Sequence, residues 1–403
     1  MMVAANAMDA LNALVILPVE ERKARGLEFT PKEILQQPET WHVTSARVRS
    51  SAGQITDLLD RFRLQADSTR SQVAVRLIGA GTSDYVGRAV RALLFRQWQW
   101  EVAAVPSTDL LTNPKDWIRG GQHYLWIWFS RSGESPESVA SLEQVLTEHP
   151  SIRHIVITCN DRGQLAHRFE ADQRVLSIIL DESVNDRGLA MTSSFSNMVV
   201  AAQVLAHIRS LESYDGILEE IVSAATIFRG CAAEASASLA AQGYSRMCFL
   251  GTGALKAVAQ ECALKVLELT AGRVQTIAHS SLGIRHGPLS ALDQETLVVS
   301  FLSSDAGRRG YELDLLAEIR SKNLARTTVA IVPAEVAGLV EVADQVVPLQ
   351  IRNCPDEYRP PIDAIFGQLL GLFSSLEHGL KPDDPSPNGA ISRVVSRVRI
   401  HPR

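Results

Sequence analysis

No Cys-x-x-Cys pair exists anywhere in the 403 residues, and the five cysteines (Cys159, Cys231, Cys248, Cys262, Cys354) are scattered and odd in number. That usage argues against a disulfide framework or a zinc site and suits a reducing compartment. A basic block is also lacking: the net charge is −5, which argues against a nucleic-acid partner. No apolar run approaches the ~18 to 20 residues needed to span a bilayer. The apolar opening "MMVAANAMDALNALVILPVEERKARG" has no basic region ahead of it, and Glu20 and Glu21 follow Pro18, so no signal peptide is read. Together these absences predict a cytoplasmic protein with no membrane partner and no bound metal. A dinucleotide fingerprint is missing as well. Gly79-Ala80-Gly81 is followed by Thr82, Ser83 and Asp84, so the third glycine of that motif is not in its place.

What the chain does have is length, and a repeated pattern. At 403 residues two domains are expected. The hydrophobic share of 46% and charged share of 21% are those of a soluble globular enzyme. "TPKEILQQPETW" reads as a short helix with Thr30 as N-cap and Pro31 at the first helical position. From about residue 73, short apolar strands ("VAVRLIG", "YLWIWF", "HIVITC", "VLSIIL") alternate with helical stretches, which predicts an α/β fold with a parallel sheet flanked by helices in three layers. The order then recurs. "CFLGTGALKAVAQECALKVLEL" echoes "RLIGAGTSDYVGRAVRALL", and "LVVSFLSSDAG" echoes "LWIWFSRSGES". Gly251, Gly253, Phe301 and Ser304 stand about 172 residues beyond Gly79, Gly81, Phe129 and Ser132, the mark of an internal duplication. The segments expected are 1–48 as an N-terminal helical piece, 49–212 and 213–375 as two like domains, and 376–403 as a tail. Helices near 195–235 would join the halves.

The two copies differ where chemistry is expected. In "FSRSGESPES", Pro136 suits the first helical position and makes Ser135 the N-cap. The helix N-terminus then offers free N–H groups and a positive dipole end. Gly133 permits close approach, and Ser130, Ser132 and Ser135 can donate to phosphate oxygens. An ordinary capped turn has the same look. A second loop, Gly81-Thr82-Ser83, leaves another strand of the same half, which fits ligand binding in the crevice of an open α/β sheet. The second copy has Asp305 where Gly133 would be, and a carboxylate there would repel an anion. Elsewhere, Glu261, Lys265 and Glu268 share one helical face in "QECALKVLELTAG". They read either as a solvated pair or as a base whose charge a lysine sets. His286, before Gly287-Pro288, is either structural or an acid–base group suited to neutral pH. Thr192 and Ser193, in "GLAMTSSFSNM", are either an N-cap or donors to sugar hydroxyls.

"IGAGTS", "FSRSGES" and "LGTG…QECALKVLEL…RHGP" resemble the sugar isomerase (SIS) domain family. Two such domains in tandem are similar to the isomerase half of glucosamine-6-phosphate synthase. "LPVEERKARG", "AMTSSFSNM", "LGIRHGP" and "SPNGAISRVVSRVRIHP" are similar still more closely to the AgaS-type family of galactosamine-6-phosphate deaminase/isomerases, also called tagatose-6-phosphate ketose/aldose isomerases. The resemblance implies a phosphate cradle at Ser83, Ser130, Ser132 and Ser135. It implies a glutamate moving a proton between C1 and C2 at Glu268, and a ring-opening histidine at His286 that relatives take from the partner subunit. Glu261 and Lys265 take supporting roles. It implies a phosphorylated sugar as substrate, a homodimer with its site near the interface, and no cofactor. Two positions depart from the pattern. Arg131 replaces a common Gln, and its guanidinium would add a charge-assisted contact to phosphate. Arg393 stands where the synthase has a Schiff-base lysine, chemistry an arginine does not do. No glutaminase half is read in the sequence, so synthesis from glutamine is not expected. A plain isomerase and a non-catalytic sugar-phosphate sensor are the alternatives.

Overall fold

The computed structural model describes residues 8–401, less 70, 334, 335, 337, 352, 353, 396 and 397. Residues 1–7 of the expected N-terminal segment, and 396, 397, 402 and 403 of the expected tail, lie outside them. The chain forms two compact units. One, the first-sheet unit, comprises residues 39–185, 193–219 and 391–403; the other, the second-sheet unit, comprises 1–38, 186–192 and 220–390.

In the first-sheet unit, β1 (Val73–Gly79), β2 (Glu101–Pro106), β3 (His123–Ser130), β4 (Arg153–Thr158) and β5 (Val175–Ile179) make one parallel sheet in the order β2-β1-β3-β4-β5. Every residue of β1 is buried, as a strand covered by helices on both faces requires, and this is why its sequence is nearly unbroken apolar. The exception is Arg76. Its guanidinium is 2.9 Å from Glu101 and lies over the Tyr124 ring. Trp126 and Trp128 of β3 pack with Leu142 and Val145 of the Pro136–Glu148 helix. Buried beside them, His154 accepts the Trp128 indole N–H at 3.1 Å. Burial, and then the charge of Arg174, push its pKa down to about 3, so it stays neutral.

In the second-sheet unit, β6 (Arg246–Leu250), β7 (Gln275–His279), β8 (Thr296–Phe301), β9 (Thr327–Val332) and β10 (Gln345–Pro348) repeat that order as β10-β9-β8-β6-β7. The duplication extends to the backbone. Gly81 (φ 55°, ψ −126°) and Gly253 (φ 63°, ψ −125°) each precede the helix after the first strand of their sheet. A Cβ on Gly79 would lie 2.3 Å from the Ser83 carbonyl carbon, and one on Gly251 would lie 2.2 Å from the Leu255 carbonyl oxygen. Both glycines are therefore sterically required.

The Pro360–Glu377 helix is buried from Pro360 through Ser375, the signature of a central helix with no solvent face. It lies against the Ala254–Leu269 helix, and glycines set the distance. A Cβ on Gly367 would be 2.4 Å from Cys262 Cβ and Sγ, and one on Gly371 would be 2.8 Å from Leu269 Cδ1.

The expected short helix near residue 30 differs in its start. It spans Thr30–Leu35 and is followed by a second helix, Gln37–Ser50. Thr30 is not the N-cap; Phe29 holds that position without a capping side chain. The cap comes from Asp383, whose carboxylate accepts the N–H groups of Glu28 (2.6 Å), Phe29 (3.1 Å) and Thr30 (2.8 Å) and the Thr30 hydroxyl (2.8 Å). The stretch expected to join the halves forms two helices, Ser193–Ala206 and Glu212–Ala240. No helix among the described residues is long and apolar enough to cross a membrane.

Candidate functional site

The strand order of the first sheet reverses between β1 and β3, and at such a switch point the loops leaving the carboxyl ends part to leave a crevice. The two loops singled out in the sequence are these loops. After β1, Gly81 turns the chain into the Thr82–Trp98 helix, and Thr82 and Ser83 are both buried there. A Cβ on Gly81 would meet nothing within 4 Å, so the space above this turn is open. After β3, the Ser130 hydroxyl oxygen accepts the Gly133 N–H at 3.0 Å, and the Ser132 hydroxyl oxygen accepts the Glu134 N–H at 3.2 Å. Both hydroxyls thereby keep their own hydrogens to donate. Gly133 sits at φ 64°. Ser135 holds the N-cap position of the Pro136–Glu148 helix without capping it; its hydroxyl donates to Glu137 at 2.7 Å.

The loop is fastened from outside by residues the sequence reading did not single out. Asn160 Nδ2 donates to the Ser132 carbonyl at 2.7 Å. Gly163 lies so close that a Cβ on it would be 2.5 Å from that same oxygen. The turn "NDRG" after β4 was the available signal, but nothing in its spacing tells which loop it braces.

Arg131 and Arg393, the two departures from the family pattern, touch each other. The Arg131 guanidinium donates to the Arg393 carbonyl, and Arg393 Nη2 donates to Asn185 Oδ1 at 2.8 Å. Arg131 therefore fastens the tail beside the serine loop. Thr192 and Ser193 are fully buried. The Thr192 hydroxyl and N–H both donate to Asp186, at 3.3 and 2.8 Å, and Ser193 begins the Ser193–Ala206 helix.

The acid–base candidates lie in the second-sheet unit. On the Ala254–Leu269 helix, Lys265 Nζ is 2.5 Å from Glu268 Oε2 and 3.6 Å from Glu261 Oε1. One ammonium thus serves two carboxylates. The exposures decide which of the three can meet a substrate: the Glu268 side chain is 24% exposed, against 0% for Glu261 and 1% for Lys265. The solvated-pair reading therefore fails for the 261–265 pair, which is sealed in the core. His286 follows the Gly283–Arg285 turn, ahead of Gly287 at φ 119°. It is exposed, and among the described residues no hydrogen bond joins it to Glu268. Asp305 caps the Ala306–Ser321 helix by accepting the Arg308 N–H at 2.9 Å, so a carboxylate does stand where the first loop has Gly133. Among the described residues no group of three or more His, Cys, Asp and Glu is placed to hold a metal.

A profile of the SIS domain matches residues 70–208. Over 390 residues the chain is 37% identical to an AgaS protein of Streptomyces coelicolor, covering 96% of this chain and 97% of that one. It is 35% identical to the D-galactosamine-6-phosphate deaminase AgaS of Escherichia coli, covering 93% of this chain and 96% of the other. The solved tagatose-6-phosphate ketose/aldose isomerase from Escherichia coli superposes with a TM-score of 0.79 at 31% identity, over 93% of this chain and 96% of that one.

Proposed function

The chain belongs to the AgaS family of SIS-domain proteins, and from that premise we propose that it is an amino-sugar-phosphate deaminase/isomerase. The substrate is galactosamine 6-phosphate, and the products are tagatose 6-phosphate and ammonia. The observation that carries the reading is the Glu261–Lys265–Glu268 row, in which the one carboxylate with free surface is held at 2.5 Å from a buried ammonium.

In this scheme the 6-phosphate is held at the crevice between β1 and β3 by the hydroxyls of Ser83, Ser130 and Ser132 and by the Ser132 N–H. Charge-assisted hydrogen bonds of this kind are the strong ones. The phosphate lies at the far end of the sugar from C1 and C2, so its binding positions the reacting end without taking part in the chemistry. His286, supplied by the partner subunit of a homodimer, assists ring opening. Glu268 removes the proton from C2, giving an enolamine, and returns it to C1, leaving a C2 imine. Water adds to the imine carbon, and ammonia leaves as the C2 carbonyl forms. Lys265 keeps the Glu268 carboxylate in place, and Glu261 balances the charge of Lys265. The scheme uses no metal and no organic cofactor. Residues 49–212 supply the phosphate-binding domain and 213–375 the acid–base domain, with 1–48 and 376–403 flanking them, in a cytoplasmic dimer.

Ammonia release from galactosamine 6-phosphate by the purified protein tests this; no release from any 6-phosphohexosamine would sink it. The similarity to a solved tagatose-6-phosphate ketose/aldose isomerase favours one alternative: a plain isomerase with the same base and phosphate loop, acting on a hydroxyl rather than an amino group at C2. A coupled assay offering both substrates separates the two.

A further inference from the structure

The two crevices share a backbone but are filled differently. In the second-sheet unit, Asp356 reaches from the short turn Asp356–Tyr358 to the loop after β8. Its carboxylate accepts four donors: the Ser304 N–H at 2.7 Å, the Ser303 hydroxyl, Arg359 Nη1 at 3.1 Å and Arg308 Nη1 at 3.3 Å. The Asp356 side chain is 2% exposed and that of Arg359 is fully buried. Where a Cβ on Gly81 meets open space, one on Gly253 would lie 3.9 Å from Arg308 Nη1. Ser304 stands one repeat beyond Ser132, whose own N–H donates to no partner among the described residues. Loop N–H and hydroxyl donors at a strand end, joined by two guanidinium groups, are a donor set that holds an oxyanion.

We infer that the second crevice is an oxyanion site permanently occupied by the chain's own Asp356 carboxylate. The same residues tie down a helix. Arg359 Nε and Nη2 donate to the two oxygens of Asp363, at 3.1 and 3.0 Å. Asp363 lies in the first turn of the Pro360–Glu377 helix, which packs against the helix carrying Glu268. The internal carboxylate therefore does two things: it closes the second crevice to a phosphate ester, and it anchors the helix behind the acid–base row. The count of one phosphate site per chain rests on the reading proposed above; the self-occupancy does not.

The test compares wild type with Asp356→Ala, and with Asp356→Ala combined with Asp305→Ser so that the N-cap carboxylate does not oppose a dianion. The probe is inorganic phosphate, with chloride at matched ionic strength as the control. A ligand that binds only the folded form raises its stability. Phosphate is expected to raise the melting temperature of the double variant at least about twice as far as that of wild type. Equilibrium dialysis is expected to gain one phosphate per chain. Should the variants fail to fold without phosphate, refolding that succeeds in phosphate and fails in chloride supports the inference, and failure in both overturns it. An equal temperature rise with no added phosphate overturns it, as does wild type binding two phosphates. If wild type binds none while the double variant binds one, the self-occupied site stands and the phosphate role of the first loop falls.

Discussion

Glu268 and Lys265 are three residues apart on one helix, yet their substitutions should fail in different ways. Glu268→Gln keeps the shape and loses the base. A drop in kcat of about 10²- to 10⁴-fold is expected, with inorganic phosphate still bound in calorimetry; a kcat within tenfold of wild type would remove Glu268 from the mechanism. Lys265→Met instead strands the sealed Glu261 carboxylate without its counter-charge. That should cost about 3–5 kcal/mol in urea unfolding, and adding Glu261→Gln should restore most of it. At the other end of the sugar, Ser132→Ala removes one hydrogen bond to a charged group, a loss of about 1.5–3 kcal/mol. It should lower kcat/KM roughly 10- to 100-fold, mainly through KM, for phosphorylated substrates and leave a dephosphorylated analogue unaffected.

Between elements, contact distance is set by glycines, and two glycine-to-alanine changes should have opposite signs. Gly367→Ala would force a methyl group to within 2.6 Å of the Cys262 Cα. Parting two buried helices should destabilise by about 1–3 kcal/mol and lower kcat, because one of those helices carries Glu268. Gly216→Ala, in the Glu212–Ala240 helix with nothing within 4 Å, should stabilise by about 0.4–1 kcal/mol. Thermal unfolding of both variants checks the pair. What the sequence made legible was of this local kind: strands as apolar runs, Gly79 and Gly81 at a strand end, Pro136 opening a helix, and the Glu261–Lys265–Glu268 spacing. Illegible were the contacts between residues distant in the chain. Asn160 bracing Ser132 lies 28 residues away, Asp356 at Ser304 52 away, and Arg393 against Arg131 262 away. Hydrophobic periodicity says which face of an element is buried, but not which polar side chain will satisfy a given carbonyl or N–H group. Thr30 illustrates the failure: a hydroxyl ahead of Pro31 looks like its own cap, yet the true cap arrives from the far end of the sequence.

For the molecule as a whole, Glu33 ties stability to pH. Its carboxyl accepts the Arg187 N–H at 2.6 Å, but burial, with the charges of Asp186 and Asp383, pushes its pKa up to about 8. The folded state thus favours the neutral acid. The resulting stability is full below the ordinary value of 4.5 and falls as pH rises towards about 8, because the unfolded chain has already lost the proton. Glu33→Gln should flatten the decline in unfolding free energy between pH 5 and about pH 8; an unchanged slope would exclude Glu33 as its source. Assembly has its own test. If His286 acts in the partner's site, mixing Glu268→Gln with His286→Asn subunits under exchange should restore about a quarter of wild-type activity, since half the dimers are hybrids with one intact site each. No recovery would place His286 and Glu268 in the same subunit. The Asp383 cap bears, finally, on the order in which the protein is made. The N–H of Glu28 and its acceptor are 355 residues apart. At ordinary translation speeds that gap takes roughly 20–70 s to synthesise, and throughout it the nascent Thr30–Leu35 helix has no cap. An early part of the second-sheet unit to leave the ribosome therefore waits for its cap until nearly all of that unit has been made.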